Sequence, residues 1–211
     1  MSNLKKRPAK NMEVRNQVKD SKFYGSIFAV ENREEAEKRI EEIKEKYSDA
    51  THNVSAFRVE SSKLDREAVE YFDDDGEPSG SSGPPVLEAI KGEALLNTVI
   101  IVTRYFGGTK LGIGGLIRAY GDTARLAIKE AGIKKLNEFY LIEIKTSFDK
   151  IGTVLGQLEA FKADIQSTNY SNQGAAVKAI IPTDIKSRLE DIIQEKTAAD
   201  YNFKLIKSVF K

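Results

Sequence analysis

Apolar positions along the chain recur at different spacings, and each spacing predicts a different element. SKFYGSIFAV (21–30) is an apolar run that predicts a strand. NREEAEKRIEEIKEKY (32–47) places Ala36, Ile40, Ile43 and Tyr47 at helical spacing, with Asn32 as N-cap. HNVSAFRV (52–59) alternates, which predicts a half-buried strand with Val54, Ala56 and Arg58 on one side and Asn53, Ser55, Phe57 and Val59 on the other. Residues 60–82 are acidic and rich in turn formers, and read as a loop. Pro84 and Pro85 then open a short helix, because proline suits the first helical turn. NTVIIVT (97–103) has the unbroken β-branched character of a central strand covered on both faces. The segment 114–132 predicts a helix stopped by Gly132, with Leu116, Tyr120, Ala124, Ala127 and Ala131 as its apolar stripe. Gly121 interrupts that helix at a cost of about 1 kcal/mol against alanine, which implies close packing there.

Beyond residue 133 glycines thin out and the pattern changes. Strand-like runs at 139–147, 163–170, 175–181 and 201–210 are separated by helical patterns at 148–161 and 183–195. Ile151, Val154, Leu155 and Leu158 share one helical face, as Ile185, Leu189, Ile192 and Ile193 nearly do. This βαββαβ order is the split-βαβ, ferredoxin-like pattern. The expected class is therefore α+β, with a domain boundary near 133–138. The expected organisation is a basic arm over 1–18, a first domain over 19–135 and a ferredoxin-like domain over 136–211. The arm carries Lys5, Lys6, Arg7, Lys10 and Arg15 and reads as a polar terminus.

Composition narrows the chemistry. A net charge of +1 gives no global electrostatic signature, so any basic footprint must be local. The absence of cysteine excludes disulfides, thiolate metal sites and cysteine nucleophiles. A single histidine, His52, leaves carboxylates to complete any zinc site. No apolar run approaches the ~20 residues of a membrane span, and the basic start lacks the apolar core of a signal peptide. A cytoplasmic protein is expected, and no cofactor is implied.

Between Gly76 and Gly115 lie nine of the fifteen glycines, and from Ala94 to Gly121 there is no acidic residue. The cluster GGTKLGIGG fits neither the P-loop, where Ile113 stands in place of lysine, nor the dinucleotide fingerprint, where Ile117 replaces the third glycine. DDDGE is not a calcium hand, since Tyr71 and Ser82 fall at its first and last ligand positions. What remains is a glycine turn between a strand and a helix, with cations and no competing carboxylate. Such a turn predicts anion or nucleic-acid binding by Arg104, Tyr105, Gly107, Gly108, Lys110, Gly112, Gly114, Gly115 and Arg118. Tyr105, Phe106 and Tyr120 offer faces for stacking. The loop with Asp73, Asp74, Asp75, Glu77 and Ser79 fits three uses: holding magnesium, capping the helix that Pro84 opens, or facing a basic partner.

At these residues a resemblance enters. DDDGEPSGSSG followed by NTVIIVTRYFGGTKLGIGGLIRAYG resembles the Impact/YigZ family, as do the KFYG near the start and HNVSAFRV, together covering roughly 19–132. The sequence departs from that pattern at Asp73, Val54 and Ser55; the last two stand where cysteine and an aromatic are frequent, so a thiol role is out of reach. The resemblance implies a first domain like the second domain of ribosomal protein S5 and a ferredoxin-like second domain. That pair is similar to consecutive domains of translational elongation factor G, which implies RNA or ribosome contact. The eukaryotic relatives regulate translation through a protein partner. The leading expectation is thus a non-enzymatic, translation-associated protein that binds RNA, the ribosome or a translation-factor partner. The alternative is a hydrolase or phosphate-ligand enzyme using the Asp73–Glu77 loop opposite the glycine turn.

Overall fold

The computed structural model describes residues 5–61 and 68–211. The chain divides into two compact units, Lys5–Lys135 and Leu136–Lys211. Both mix helices with antiparallel sheet, so the class is α+β.

In the first unit, β1 (Lys5–Pro8), β2 (Met12–Val18) and β3 (Ser21–Ala29) precede α1 (Arg33–Lys46). They are followed by β4 (His52–Glu60), β5 (Ala68–Asp73), α2 (Gly83–Gly92), β6 (Thr98–Tyr105), α3 (Ile113–Ala131) and β7 (Ile133–Leu136). Five strands form one sheet in the order β2-β3-β6-β4-β5, and β1 pairs with β7 separately. In β6, every residue from Thr98 to Arg104 is buried, because helices cover both faces of the sheet. On one face α1 lays Ala36, Ile40 and Ile43 against Phe57, Val59, Val99 and Ile101. On the other, α2 and α3 bring Val86, Ile90, Leu116, Tyr120 and Ala124 onto Phe23, Ile27, Val54, Ala56, Ile100 and Val102. The same double cover corrects the expectation for β4, which is buried on both sides rather than half-buried.

Local chemistry sets the boundaries. Asn32 caps α1 by accepting from the Glu35 amide at 2.9 Å, and Glu35 in turn accepts from the Glu31 amide at 2.9 Å. α3 leaves its helical path at Gly132, whose φ of 69° suits glycine. Two segments differ from expectation. The basic arm is not an arm: 5–8 and 12–18 are strands, and β2 pairs with β3 along its whole length. Several of its charges are used internally, Lys5 pairing with Glu60, Arg7 with Glu31 at 3.0 Å, and Glu13 with Lys46 at 2.6 Å, while Lys10 and Arg15 are exposed. Within the stretch read as loop, 68–73 is the edge strand β5, paired with β4.

The second unit runs β8 (Glu138–Thr146), α4 (Ile151–Ala160), β9 (Asp164–Ser171), β10 (Gly174–Pro182), α5 (Lys186–Thr197) and β11 (Tyr201–Phe210). Its antiparallel sheet has the order β11-β8-β10-β9. Val154 and Leu158 of α4, with Leu189 and Ile193 of α5, close over Ile142, Ile144, Val177, Ala179 and Ile181.

Candidate nucleic-acid interface

The acidic loop between β5 and α2 is tied down from within. Asp74 accepts from the Ser82 amide at 3.0 Å, the Ser82 hydroxyl at 2.6 Å and the Gly83 amide at 2.8 Å through one oxygen. Its other oxygen accepts from the Gly80 amide at 2.7 Å. Because Gly83 is the first residue of α2, Asp74 caps that helix from nine residues upstream. Burial by itself would raise the Asp74 carboxyl, but the bonds from Ser82, Gly80 and Gly83 outweigh it and hold it below its ordinary value. Asp75 sits at φ 45° and accepts from the Asn53 amide at 2.6 Å, while Lys44 lies 3.5 Å away.

Glu77 turns inward. It is 8% exposed, and one of its oxygens accepts from Arg104 at 2.6 Å and from the Tyr120 hydroxyl at 2.7 Å. His52 stands beside them. Its Nδ1 lies 2.8 Å from the Asp75 carbonyl, which can only accept, so Nδ1 donates there, and Nε2 faces Glu77 at 3.8 Å. Burial, and then the charge of Glu77, push the Tyr120 hydroxyl far above its ordinary pKa, so it acts as a donor. Loop, β4, β6 and α3 are thus clasped at one point.

This overturns the expected role of Arg104. It is 5% exposed, sandwiched between the rings of Phe23 at 5.6 Å and Phe106 at 5.3 Å, and bonded to Ser21 at 3.3 Å. Its cation neutralises a carboxylate of its own protein and is closed to phosphate. Tyr120 likewise packs in the core, edge-on to Phe23. Tyr105 points to the opposite face of β6, among Tyr24 and Tyr47, and donates to Asp49 at 2.6 Å. That bond to Asp49 raises its hydroxyl to about 12. Magnesium fares no better: Asp74, Asp75 and Glu77 each serve internal donors. Among the described residues no three His, Cys, Asp or Glu gather to hold a metal ion. Ser79 is exposed and stands apart from this cluster of contacts.

The turn from Phe106 to Gly112 behaves differently. Two of its amides are occupied: Phe106 donates to Thr51 at 3.0 Å, and Gly107, expected to face a ligand, donates to Ser21 at 3.3 Å. Gly107 is sterically required, since a Cβ there would meet the Asp20 carbonyl at 1.9 Å. Gly108, Lys110, Gly112 and Gly114 are exposed, Gly115 is half-buried, and Leu111 packs partly against the core. Gly112 precedes α3 without any side-chain cap, and the first turn of α3 contains no carboxylate. Lys110 and Arg118 are exposed and form no ion pair with any described residue. Of the predicted residues, the structure brings together Gly108, Lys110, Gly112, Gly114, Gly115 and Arg118 around one helix terminus. It places Arg104 beneath them and Tyr105 on the far side of the sheet.

A three-layer unit with a cationic, uncapped helix entrance, followed by a βαββαβ unit, defines a two-part α+β protein. The Impact N-terminal domain matches residues 19–128, and the chain belongs to that family. It is 33% identical over 154 residues to IMPACT family member YvyE of Bacillus subtilis, covering 73% of this chain and 69% of that protein. It is 30% identical over 155 residues to IMPACT family member YigZ of Escherichia coli, covering 72% and 75%. A solved structure described as a hypothetical protein aligns over 98% of both chains with a TM-score of 0.71 at 22% identity, a likeness of fold.

Proposed function

We propose that this protein is a non-enzymatic, cytoplasmic, translation-associated factor that grips the phosphate backbone of RNA, alone or on the ribosome, at the entrance to α3. The observation that carries the reading is the pair Lys110 and Arg118, exposed and without an ion pair to described residues, beside a helix N-terminus whose first turn has no carboxylate. Positive potential at the helix start and two exposed cations suit phosphate oxygens. The strand order β11-β8-β10-β9 supports a ferredoxin-like second domain. The first unit then corresponds to the second domain of ribosomal protein S5, and the pair to consecutive domains of elongation factor G, a layout suited to ribosomal contact. The hydrolase reading loses support because its carboxylates are committed to internal donors.

The test is fluorescence anisotropy of the full chain with RNA across a salt series. Binding should weaken steeply as salt rises, and Lys110→Glu with Arg118→Glu should flatten that dependence by a slope of about two. No binding at low salt, or binding indifferent to this pair, sinks the proposal.

A further inference from the structure

Beside the entrance to α3 lies an open groove of about 390 Å³, walled by Pro84, Pro85 and Glu88 of α2 on one side and by Ile117, Arg118 and Arg125 of α3 on the other. We infer that this groove receives one unstacked base of single-stranded RNA while the adjoining phosphates lie along the arginines. The inference rests on the phosphate-binding reading of the neighbouring turn and specifies which form of RNA that site takes.

The two arginines are seven residues apart on α3 and therefore share a face, about 10.5 Å apart along the axis. Each brings a guanidinium nitrogen close to a glycine one turn earlier. A Cβ at Gly114 would sit 3.6 Å from the Arg118 guanidinium. One at Gly121 would sit 3.1 and 3.2 Å from Nη2 and Nη1 of Arg125 and 3.5 Å from Cζ, so the nitrogen edge of that guanidinium faces the glycine. Two planar cations along one face of the helix offer surfaces to a partner, since a guanidinium plane stacks on bases as well as bonding phosphate.

The opposite wall has another character. Pro84 and Pro85 are rigid and apolar, and across from them Ile117 is 42% exposed, with Ile113 one turn away 64% exposed. Glu88 is paired with Lys91 at 3.1 Å and turns phosphate away from its side. Arg125 shares its charge with Asp122 at 2.7 Å, whereas Arg118 has no such partner among the described residues. Charge therefore increases toward Arg118 and Lys110, and apolar surface increases toward the prolines. A strand with a ring on one side and phosphates on the other matches that polarity. The volume suits a base, being at the small end of ligand sites of roughly 300–1,000 Å³. A duplex keeps its bases stacked inside and offers no ring to the groove.

The experiment compares a short single-stranded RNA with the same sequence in a duplex, at one salt concentration, using the full chain. 2-Aminopurine in the single strand reports insertion. The single strand should bind roughly ten- to a hundredfold more tightly, 2-aminopurine fluorescence should change on binding, and the uncharged Ile117→Ser should reduce both effects more than it reduces duplex binding. Equal affinity for strand and duplex, with Lys110→Glu still weakening both, overturns the groove and leaves the phosphate reading standing. Absence of all RNA binding overturns both. Capture of polyglutamate without RNA binding assigns the groove to an acidic protein partner and also overturns it.

Discussion

The loop carrying Asp74, Asp75 and Glu77 and the turn carrying Lys110 flank the same helix pair, and both are glycine-rich and charged. They use charge in opposite directions. In the loop every carboxylate accepts from a donor of its own chain, and Glu77 shares one oxygen between Arg104 and Tyr120. In the turn, Lys110 and Arg118 remain at the surface without an ion pair among the described residues. Burial decides the difference. A charge taken out of water needs a partner, because its desolvation is otherwise uncompensated, whereas an exposed charge stays hydrated until a ligand displaces the water. Richness in charged residues near glycines thus marks a clasp in one place and a binding surface in the other.

The contrast breaks most visibly at the clasp. Arg104→Ala strips Glu77 of its buried cation and should cost about 3–5 kcal/mol of unfolding free energy, read by urea denaturation. Tyr120→Phe removes one donor to the same oxygen and should cost less, about 1–3 kcal/mol. If Arg104→Ala is as stable as the parent, the clasp carries no weight and Arg104 returns as a candidate for the surface site.

At the turn the same kind of substitution should leave folding nearly unchanged and alter binding instead. Lys110→Glu with Arg118→Glu should lower RNA affinity roughly 10- to 100-fold near 0.1 M salt, since each counterion-releasing contact contributes a power of about 0.9 in salt concentration. Unfolding free energy should move by no more than about 0.5 kcal/mol, as for exposed residues without special contacts. A large stability loss in that double variant would erase the distinction between the two regions.

Much of this was legible in the sequence, and the failures have physical causes. The apolar run of β6 and the helical periodicities of α1 and α3 correspond to elements in the structure. Within β6, Arg104 follows the phase of Ile100 and Val102, so strict alternation already directs it toward α2 and α3, where a cation requires a carboxylate. Weighing glycines and cations together obscured that phase. β2 escaped notice because Arg15 and the basic residues on either side of it are conspicuous, although Met12, Val14 and Val18 alternate as an edge strand does. No periodicity could show that Glu77 meets Tyr120 across 43 residues, or that His52 stands beside them. Those are consequences of tertiary packing, and only the burial of a glutamate next to a turn glycine would have hinted at it.

A smaller effect is sterically specific to the turn. Gly107→Ala drives a methyl into the Asp20 carbonyl, and the backbone must move, at about 1–3 kcal/mol by the usual cost of overpacking. Gly108→Ala meets no atom within 4 Å but must adopt a φ of 94°, so it is strained by backbone alone. Thermal unfolding of the two variants separates contact from conformation: Gly107→Ala should lose its hydrogen bond to Ser21 and loosen Arg104, whereas Gly108→Ala should leave the clasp intact.

The mildest test concerns acid. Asp74 donates nothing and accepts four bonds, and its carboxyl is held below the ordinary value near 3.8. A group whose pKa is lower in the folded chain than in the unfolded one stabilises fully above the unfolded value. That contribution fades as pH falls through the folded value, because protonation removes the charge the donors were arranged around. Asp74→Asn should therefore cost about 1 kcal/mol at neutral pH, in the range of a lost helix cap. The gap between variant and parent should stay level down to about pH 4 and close below it. Urea unfolding at a series of pH values reads the gap directly. A gap that is constant into acid would mean that the bonds to Asp74 depend on its shape and not on its charge, and the loop would then be a neutral turn that happens to contain a carboxylate.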